Sequence, residues 1–422
     1  MKADSITKQA SCADDYDPAS LPADTALTRI LASISPLQAT ETTAIRSALG
    51  RILAEDITSP INVPTGTNSA MDGYALNSAD IPAQGLSELH VAGTAYAGKP
   101  WKDRVNRGDC VRIMTGAIMP AGTDTVVMQE HVESEDQIIR IEHTVQPGGN
   151  VRQAGEDIAT GDIILTRGTE ITPADIGLIA SLGVPEIRVY RRLKVAFFST
   201  GDELRSIGEK LADGHIYDSN RYTLFGMLQR LGAEIIDMGV VRDDPAALQA
   251  AFEEGANQAD VLITSGGVSV GEADYVRNIL QKVGEVNFWK VAMKPGRPLA
   301  FGRIKDCHFF GLPGNPVSVM VTFYQFVQPA LRHFMGANVI EPIRFRVVCQ
   351  SRLKKKTGRV EYQRGILSRN ENGELAVRKT GMQGSGILRS MAQANCFIIL
   401  PMECGQIEPG TEVDVQPFFG LV

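Results

Sequence analysis

Asp260-Val-Leu-Ile-Thr-Ser-Gly-Gly-Val-Ser-Val-Gly-Glu-Ala-Asp-Tyr275 is the stretch on which the fold turns. Val261, Leu262 and Ile263 form the short apolar run of a parallel strand buried on both faces. Ser265, Gly266 and Gly267 stop it, Gly271 follows, and the segment from Glu272 to Leu280 reads as a helix. Strand, glycine turn and helix together aim backbone N–H groups and the positive end of a helix dipole at an anion. The spacing is neither a Walker A loop nor a dinucleotide fingerprint. Taken alone, the turn reads equally well as one that binds nothing. Gly267-Val-Ser-Val-Gly271 also fits a nucleophile-elbow pattern. Ser265, Gly266 and Gly267 already intervene after the strand, however, and His308 and His333 show no sign of serving Ser269.

Outward from this stretch, strands and helices alternate from 191 to 336. Strand-like runs are Lys194–Phe198, Glu234–Val240, Val261–Thr264, Val286–Val291, Leu299–Gly302 and His308–Gly311. Helical spacing appears over Arg221–Leu231, Pro245–Asn257, Ala273–Val283 and Pro316–Phe334, the last with Asn315 at its cap and a break expected at Pro329. Such alternation implies a doubly wound, largely parallel α/β sheet, with ligands outside the carboxyl ends of its strands.

The flanks have a different texture. Residues 1–20 read as a flexible tail, and 57–150 as a β-rich inserted domain with strand-like runs at Glu88–Ala92, Asp109–Met114, Thr125–Gln129 and Ile138–Glu142. Residues 21–56 and 151–190 form one discontinuous domain. It holds a helix from Asp24, a second short helix over 43–54, and a third from Pro173 to Gly183 expected to pack on the first. Residues 337–422 read as a small all-β C-terminal domain. The fold class is therefore multidomain α/β plus β.

Composition narrows the function. The 422 residues, 43% apolar and 22% charged, suit about three soluble domains. A formal net charge of -7 argues against nucleic acid as a partner, and no run of 18 apolar residues suggests a membrane span. The six cysteines are scattered without a Cys-x-x-Cys pair, and the N-terminus lacks a signal peptide's apolar segment, so a cytoplasmic location is expected. The scattered histidines offer no zinc or iron motif.

The polar residues of the α/β domain collect in loops at the carboxyl edge. Glu203, Asp243 and Asp274 supply acid, and Lys290, Lys294 and Arg297 supply base. Leu312-Pro-Gly-Asn-Pro316 leads into the last helix, with Pro313 and Pro316 stiffening the loop. Acids beside bases suit a phosphorylated substrate with Mg²⁺, one or two carboxylates holding the cation while lysines and backbone N–H groups meet the oxyanion.

Met71-Asp-Gly-Tyr74, Arg112-Ile-Met-Thr-Gly116, Gly155-Glu-Asp157, Ser199-Thr-Gly-Asp-Glu203, the opening stretch, Lys294-Pro-Gly-Arg-Pro298 and Leu312-Pro-Gly-Asn-Pro316 occur together and in order. In this the chain, from about residue 22 to its end, resembles the molybdopterin molybdenumtransferases of the MoeA type, related to the E domain of gephyrin. The resemblance implies a homodimer in which adenylylated molybdopterin and molybdate are substrates. Mg²⁺ assists cleavage of the adenylate, AMP leaves, and molybdenum stays on the dithiolene. It assigns Glu203, Asp243, Asp274, Lys290 and Lys294 to catalysis. It assigns Ser265, Gly266, Gly267, Ser269, Arg297, Pro313, Pro316, Arg364 and Ser385 to substrate, with the last pair toward the oxyanion. Asp72, Thr115 and Arg152 would reach a site shared with the partner subunit, and Asp157, Asp243 and Asp274 are the implied metal ligands. Implied partners are a molybdopterin adenylyltransferase upstream and molybdoenzyme apoproteins or chaperones downstream. The alternatives are a non-catalytic scaffold of the gephyrin E-domain type, a molybdopterin adenylyltransferase, and a tungsten-inserting relative.

Overall fold

The computed structural model describes residues 20–267, 273–338 and 341–418, with the backbone alone at 273–277 and 288. The chain divides into two compact units. One holds the residues up to Glu41, Gly50–Ile52 and everything from Tyr190 onward; the other holds Thr42–Leu49 and Leu53–Val189.

At the centre of the first unit is a six-stranded sheet. Its elements are β1 (Lys194–Thr200), α1 (Ser219–Arg230), β2 (Glu234–Val241), α2 (Pro245–Gln258), β3 (Val261–Ser265), α3 (Ala273–Val283), β4 (Glu285–Lys290), β5 (Pro298–Ile304) and β6 (Cys307–Leu312). The strand order is β2-β1-β3-β6-β5-β4. The first four strands are parallel, and β5 and β4 close the edge as antiparallel neighbours. Val261, Leu262 and Ile263 are fully buried, as a two-sided strand requires. Phe198, Phe252, Leu262, Leu280 and Phe309 share one core cluster under α2 and α3.

The expected last helix is split. Pro316–Thr322 (α4) is α-helical, Phe323–Val327 widens into a π turn, and Gln328–Phe334 (α5) resumes the α spacing. Pro329 has no N–H to give, and its ring crowds the carbonyl four residues back. The wider turn just before it accommodates both defects without ending the helix. Asn315 stands at the α4 cap position, but its side chain makes no cap bond, contrary to expectation.

Two expectations about the N-terminal region are corrected. The helix Ala23–Ala32 buries Ala26 and Ile30 against α5 and the π turn of the α/β domain. The chain then stays there, with Leu37 N donating to Phe334 O at 2.8 Å. The helix Pro173–Ser181, expected as its partner, belongs to the other unit, where Ile179 joins Ala48, Leu53, Ile57 and Ile187. Nor does 43–54 form a helix. Thr40–Ala44 is a strand and Ile45–Ser47 a single 3-10 turn. The three β-branched threonines of this strand favour the extended form, and Ala54 N finds Arg188 O at 3.0 Å instead of a helical partner.

The second unit carries the β-rich domain. Its six strands run in the order Thr125–Met128, Gly73–Leu76, Asp109–Ile113, Leu86–Ala95, Ile138–Glu142, Glu133–Glu135. Alternate side chains feed opposite faces. Tyr74 and Leu76 pack with Leu89, Val127 and Ile139, while Ala75 packs with Val111, Ile113 and Val126. The helix Pro173–Ser181 begins with a Thr172/Asp175 capping box.

The C-terminal domain is an all-β barrel of Phe345–Cys349, Val360–Arg369, Leu375–Lys379, Cys396–Leu400 and Glu412–Pro417. Val360–Arg369 pairs with both Leu375–Lys379 and Cys396–Leu400, which closes the ring. The short helix Leu388–Ala392 departs from the all-β expectation. Met293–Lys294 of the basic loop joins the barrel beside Val360 and Glu361.

Candidate active site

The crevice lies where the sheet order reverses, between the carboxyl ends of β1 and β3. Gly266 takes φ +94°, and a Cβ there would stand 2.5 Å from Thr200 O, so only glycine lets the two loops approach this closely. Gly266 N donates to Leu312 O at 3.2 Å, tying in β6. Asn220, in the first turn of α1, is the strut beneath. Its Nδ2 donates to Ser265 Oγ at 3.0 Å and to Gly314 O at 2.7 Å. One buried amide thus joins the loops after β3 and β6.

Thr200, the last residue of β1, donates its hydroxyl to Asp243 Oδ1, and Asp243 N bonds Asp202 Oδ1 at 3.4 Å. The other Asp243 oxygen accepts no hydrogen bond among the described residues. Glu203 folds back over Gly201, where an added Cβ would lie 2.6 Å from its Oε2. Asp202, Glu203 and Asp243 are all exposed at this edge. Among the described residues no three acidic, histidine or cysteine side chains gather as a metal cage. An exposed carboxylate with one oxygen fixed by a hydroxyl fits the habit of Mg²⁺, which takes one or two protein oxygens and completes its shell with phosphate and water. Asp274 occupies the second position of α3, and its side chain lies outside the described residues, as does Ser269.

The antiparallel pairing places the basic loop at the same edge, because Lys290 faces Pro298 and Ala300 faces Gly311. Val291 N donates to Arg297 O at 2.7 Å, closing the loop between them. Gly296 packs so near α4 that a Cβ would sit 2.5 Å from Thr322 Oγ1. Lys290 is exposed and Arg297 half-buried. Lys294 reaches Glu361 of the barrel, with Nζ 3.6 Å from Oε1, and Gln363 donates to the second oxygen at 3.0 Å.

The resemblance puts Arg364 beside Ser385 as an oxyanion ligand and Lys294 among the catalytic residues. The pleat of Val360–Arg369 sends Glu361 and Gln363 to one face and Tyr362 and Arg364 to the other, so Lys294 and Arg364 are held from opposite faces of this strand. On its own face Arg364 meets the loop that precedes Ser385. Its guanidinium, 1% exposed, donates through Nε to Ser390 Oγ at 3.0 Å and through Nη2 to Gly384 O at 3.1 Å. Ser385 O accepts from Val317 N at the start of α4, 3.0 Å away. Burial pushes the Arg364 pKa down to about 10, with Glu361 opposing, and it remains a cation at neutral pH. Pro313 is buried, and Pro316 is the first residue of α4.

In the second unit, Asp72 Oδ1 accepts from Thr115 N and Thr115 Oγ1, both at 2.7 Å. These bonds, the backbone one foremost, hold its carboxyl below the usual value of 3.8. Gly116 N donates to Ser69 O, and Asn68-Ser69 pairs with Val151-Arg152, so Arg152 belongs to the same loop cluster. Arg152 is 4.0 Å from Glu156, and Asp157 is tied in by its backbone, N to Val63 O at 3.1 Å. An open groove of about 750 Å³ on the same domain, lined by Glu130, Arg140, Glu142 and Asn150, contains none of these four residues.

Family comparisons bear on this arrangement. Residues 21–183 match the MoeA N-terminal region (domain I and II), 196–333 a probable molybdopterin binding domain, and 346–418 the MoeA C-terminal region (domain IV). A molybdopterin molybdenumtransferase of Haemophilus influenzae is 46% identical over 94% of this chain and 99% of its own length. The chain belongs to the molybdopterin molybdenumtransferase family. Gephyrin of Dictyostelium discoideum is 35% identical over 88% of the chain and 58% of its own length. The crystal structure of the molybdopterin biosynthesis moeA protein from Pyrococcus horikoshii OT3 superimposes with a TM-score of 0.82 at 30% identity, covering 94% of this chain and all (100%) of that one.

Within this family fold, the residues that sequence reasoning passed over are Thr200, Asn220, Gln383 and Ser390. Thr200 lies inside the Ser199–Glu203 motif, but its bond runs to another loop, and Asn220 stands just before the helical run with bonds to two loops. Ser390 carries no motif at all; only the short helix Leu388–Ala392 brings it to Arg364. No helix of the described residues is long and apolar enough to cross a membrane.

Proposed function

We propose that this enzyme of molybdenum cofactor biosynthesis takes adenylylated molybdopterin and molybdate, cleaves the adenylate with Mg²⁺, releases AMP and leaves molybdenum on the dithiolene. The observation that carries the reading is Arg364. A guanidinium almost wholly withdrawn from water is bonded only to a hydroxyl and a carbonyl, with no carboxylate on it among the described residues. A buried cation with no carboxylate in contact is costly, and a tetrahedral oxyanion docked against Arg364 and the Ser385 loop would relieve that cost.

The glycine crevice then receives the phosphate side of the substrate. Its close backbone approach lets N–H groups meet phosphate oxygens, with Asn220 keeping Ser265 and Gly314 in place. Asp243, oriented by Thr200, and Asp274 would hold Mg²⁺ near the phosphates; when bound, the ion would neutralise charge developing on the leaving phosphate. Lys290, Lys294 and Glu203 complete the charged rim. Asp72, Thr115, Arg152 and Asp157 serve a site completed by the second copy of a homodimer.

Purified protein incubated with adenylylated molybdopterin, molybdate and Mg²⁺ is expected to release AMP, and to do so only when both ions are present. If the substrate stays intact, the reading falls. Transfer of AMP from ATP onto molybdopterin would instead assign the preceding, adenylylating step.

A further inference from the structure

We propose that Ser390 is a positioning residue for the oxyanion, acting through Arg364, and that Gln383 fixes the same arginine from its backbone side. The proposal rests on Arg364 being the oxyanion ligand. Ser390 Oγ accepts from Arg364 Nε at 3.0 Å while donating its own proton to Ile387 O at 2.7 Å. With its proton committed, the hydroxyl can only accept from the guanidinium, so the bond has one polarity. Ser390 is 2% exposed. Arg364 Nη2 meets Gly384 O at 3.1 Å. Two bonds, from Nε and Nη2, fix the orientation of the planar group.

Gln383 brackets the main chain of the same residue. Its Oε1 accepts from Arg364 N at 2.8 Å and its Nε2 donates to Arg364 O at 3.1 Å. Gln383 precedes Gly384 and Ser385, the loop that reaches Val317 N at the start of α4. The arginine, the hydroxyl loop and the helix terminus are therefore locked to one another by two side chains that need not touch substrate. Supporting contacts of this kind typically change ligand affinity by about 10- to 100-fold when removed.

Binding of molybdate alone to the full-length protein, followed by calorimetry, tests this beside steady-state kinetics. Ser390→Ala is expected to weaken molybdate binding and raise its half-saturation concentration about tenfold. The half-saturation for adenylylated molybdopterin should stay as it is. Ser390→Thr, which keeps the hydroxyl, should recover most of the loss. If the Ser390 hydroxyl serves only to bond Ile387 O within its own helix, its loss would lower the melting temperature and leave molybdate affinity unchanged; that result overturns the proposal. Should Ser390→Ala not fold, Ser390→Cys carries the same expectation, because sulfur is a weak acceptor. Arg364→Gln separates the layers. If it leaves molybdate binding intact, the oxyanion assignment itself fails. If it abolishes binding while Ser390→Ala does not weaken it, only the positioning role fails.

Discussion

Asp260, the first residue of the stretch that organises the sequence, has a structural task. Its carboxylate accepts two bonds from the Arg191 guanidinium, each at 2.7 Å, and a third from Lys194 N at 2.8 Å. This fastens the start of β3 to the start of β1. Burial pushes the carboxyl up, but Arg191 and the Lys194 amide outweigh it, and the net result is a pKa below 3.8. A carboxyl depressed in the folded state adds stability that is complete above its unfolded value and fades as pH falls through the folded one. Asp260→Asn should therefore cost about 2–3 kcal/mol at pH 7. The gap from wild type should narrow below pH ~3.8, as both forms become neutral. Urea unfolding of the two proteins across pH 2.5–7 checks both the size and the direction.

At the scale of elements, the decisive piece is the turn from β3 toward α3. Gly266 combines a left-handed backbone with a 2.5 Å approach to Thr200 O, so Ala is excluded on two independent grounds. Gly266→Ala should cost about 2–4 kcal/mol through strain and displacement of the β1 loop. Because that loop carries Asp202, Glu203 and the Thr200–Asp243 bond, turnover should fall by more than the stability loss predicts. A melting curve beside AMP-release kinetics on the still-folded fraction separates the two effects. Retained activity at full occupancy would show that the crevice tolerates separation of the loops. The elements that sequence misread share a cause. Residues 43–54 show the apolar spacing of a short helix, yet their neighbours in space offer strand and turn partners. The π turn at Phe323–Val327 depends on how a proline is accommodated inside a buried helix, where ending the helix would expose apolar side chains.

For the whole molecule, the site depends on the barrel as much as on the sheet. Phe397, fully buried, packs against Phe418 at 4.7 Å between ring centres, against Tyr362 at 6.0 Å, and against Tyr324 of the π turn at 6.2 Å. It joins the face of the strand that carries Arg364 to the last helix of the α/β domain. Phe397→Ala should cost about 3–5 kcal/mol and also weaken molybdate binding, since Arg364 pairs with Phe397 across the strands. Loss of stability with unchanged molybdate affinity would show that the barrel holds Arg364 without this contact.

The sequence by itself determined the alternating strands and helices, the strand–glycine–helix turn, the β texture of both flanks, and the loops that carry the acids and bases. Those are local properties: periodicity, turn chemistry and helix termini are written in neighbouring residues. Only the tertiary structure decided that the N-terminal helix serves the α/β domain. The same holds for Asn220, which ties two glycine loops, and for Lys294 and Arg364, which are held from opposite faces of one strand. Ser390, which fixes the buried arginine, is the clearest case. Each of these depends on which surfaces meet across long sequence separations, and a hydroxyl or amide acquires its role there only from the partner that folding brings within about 3 Å of it.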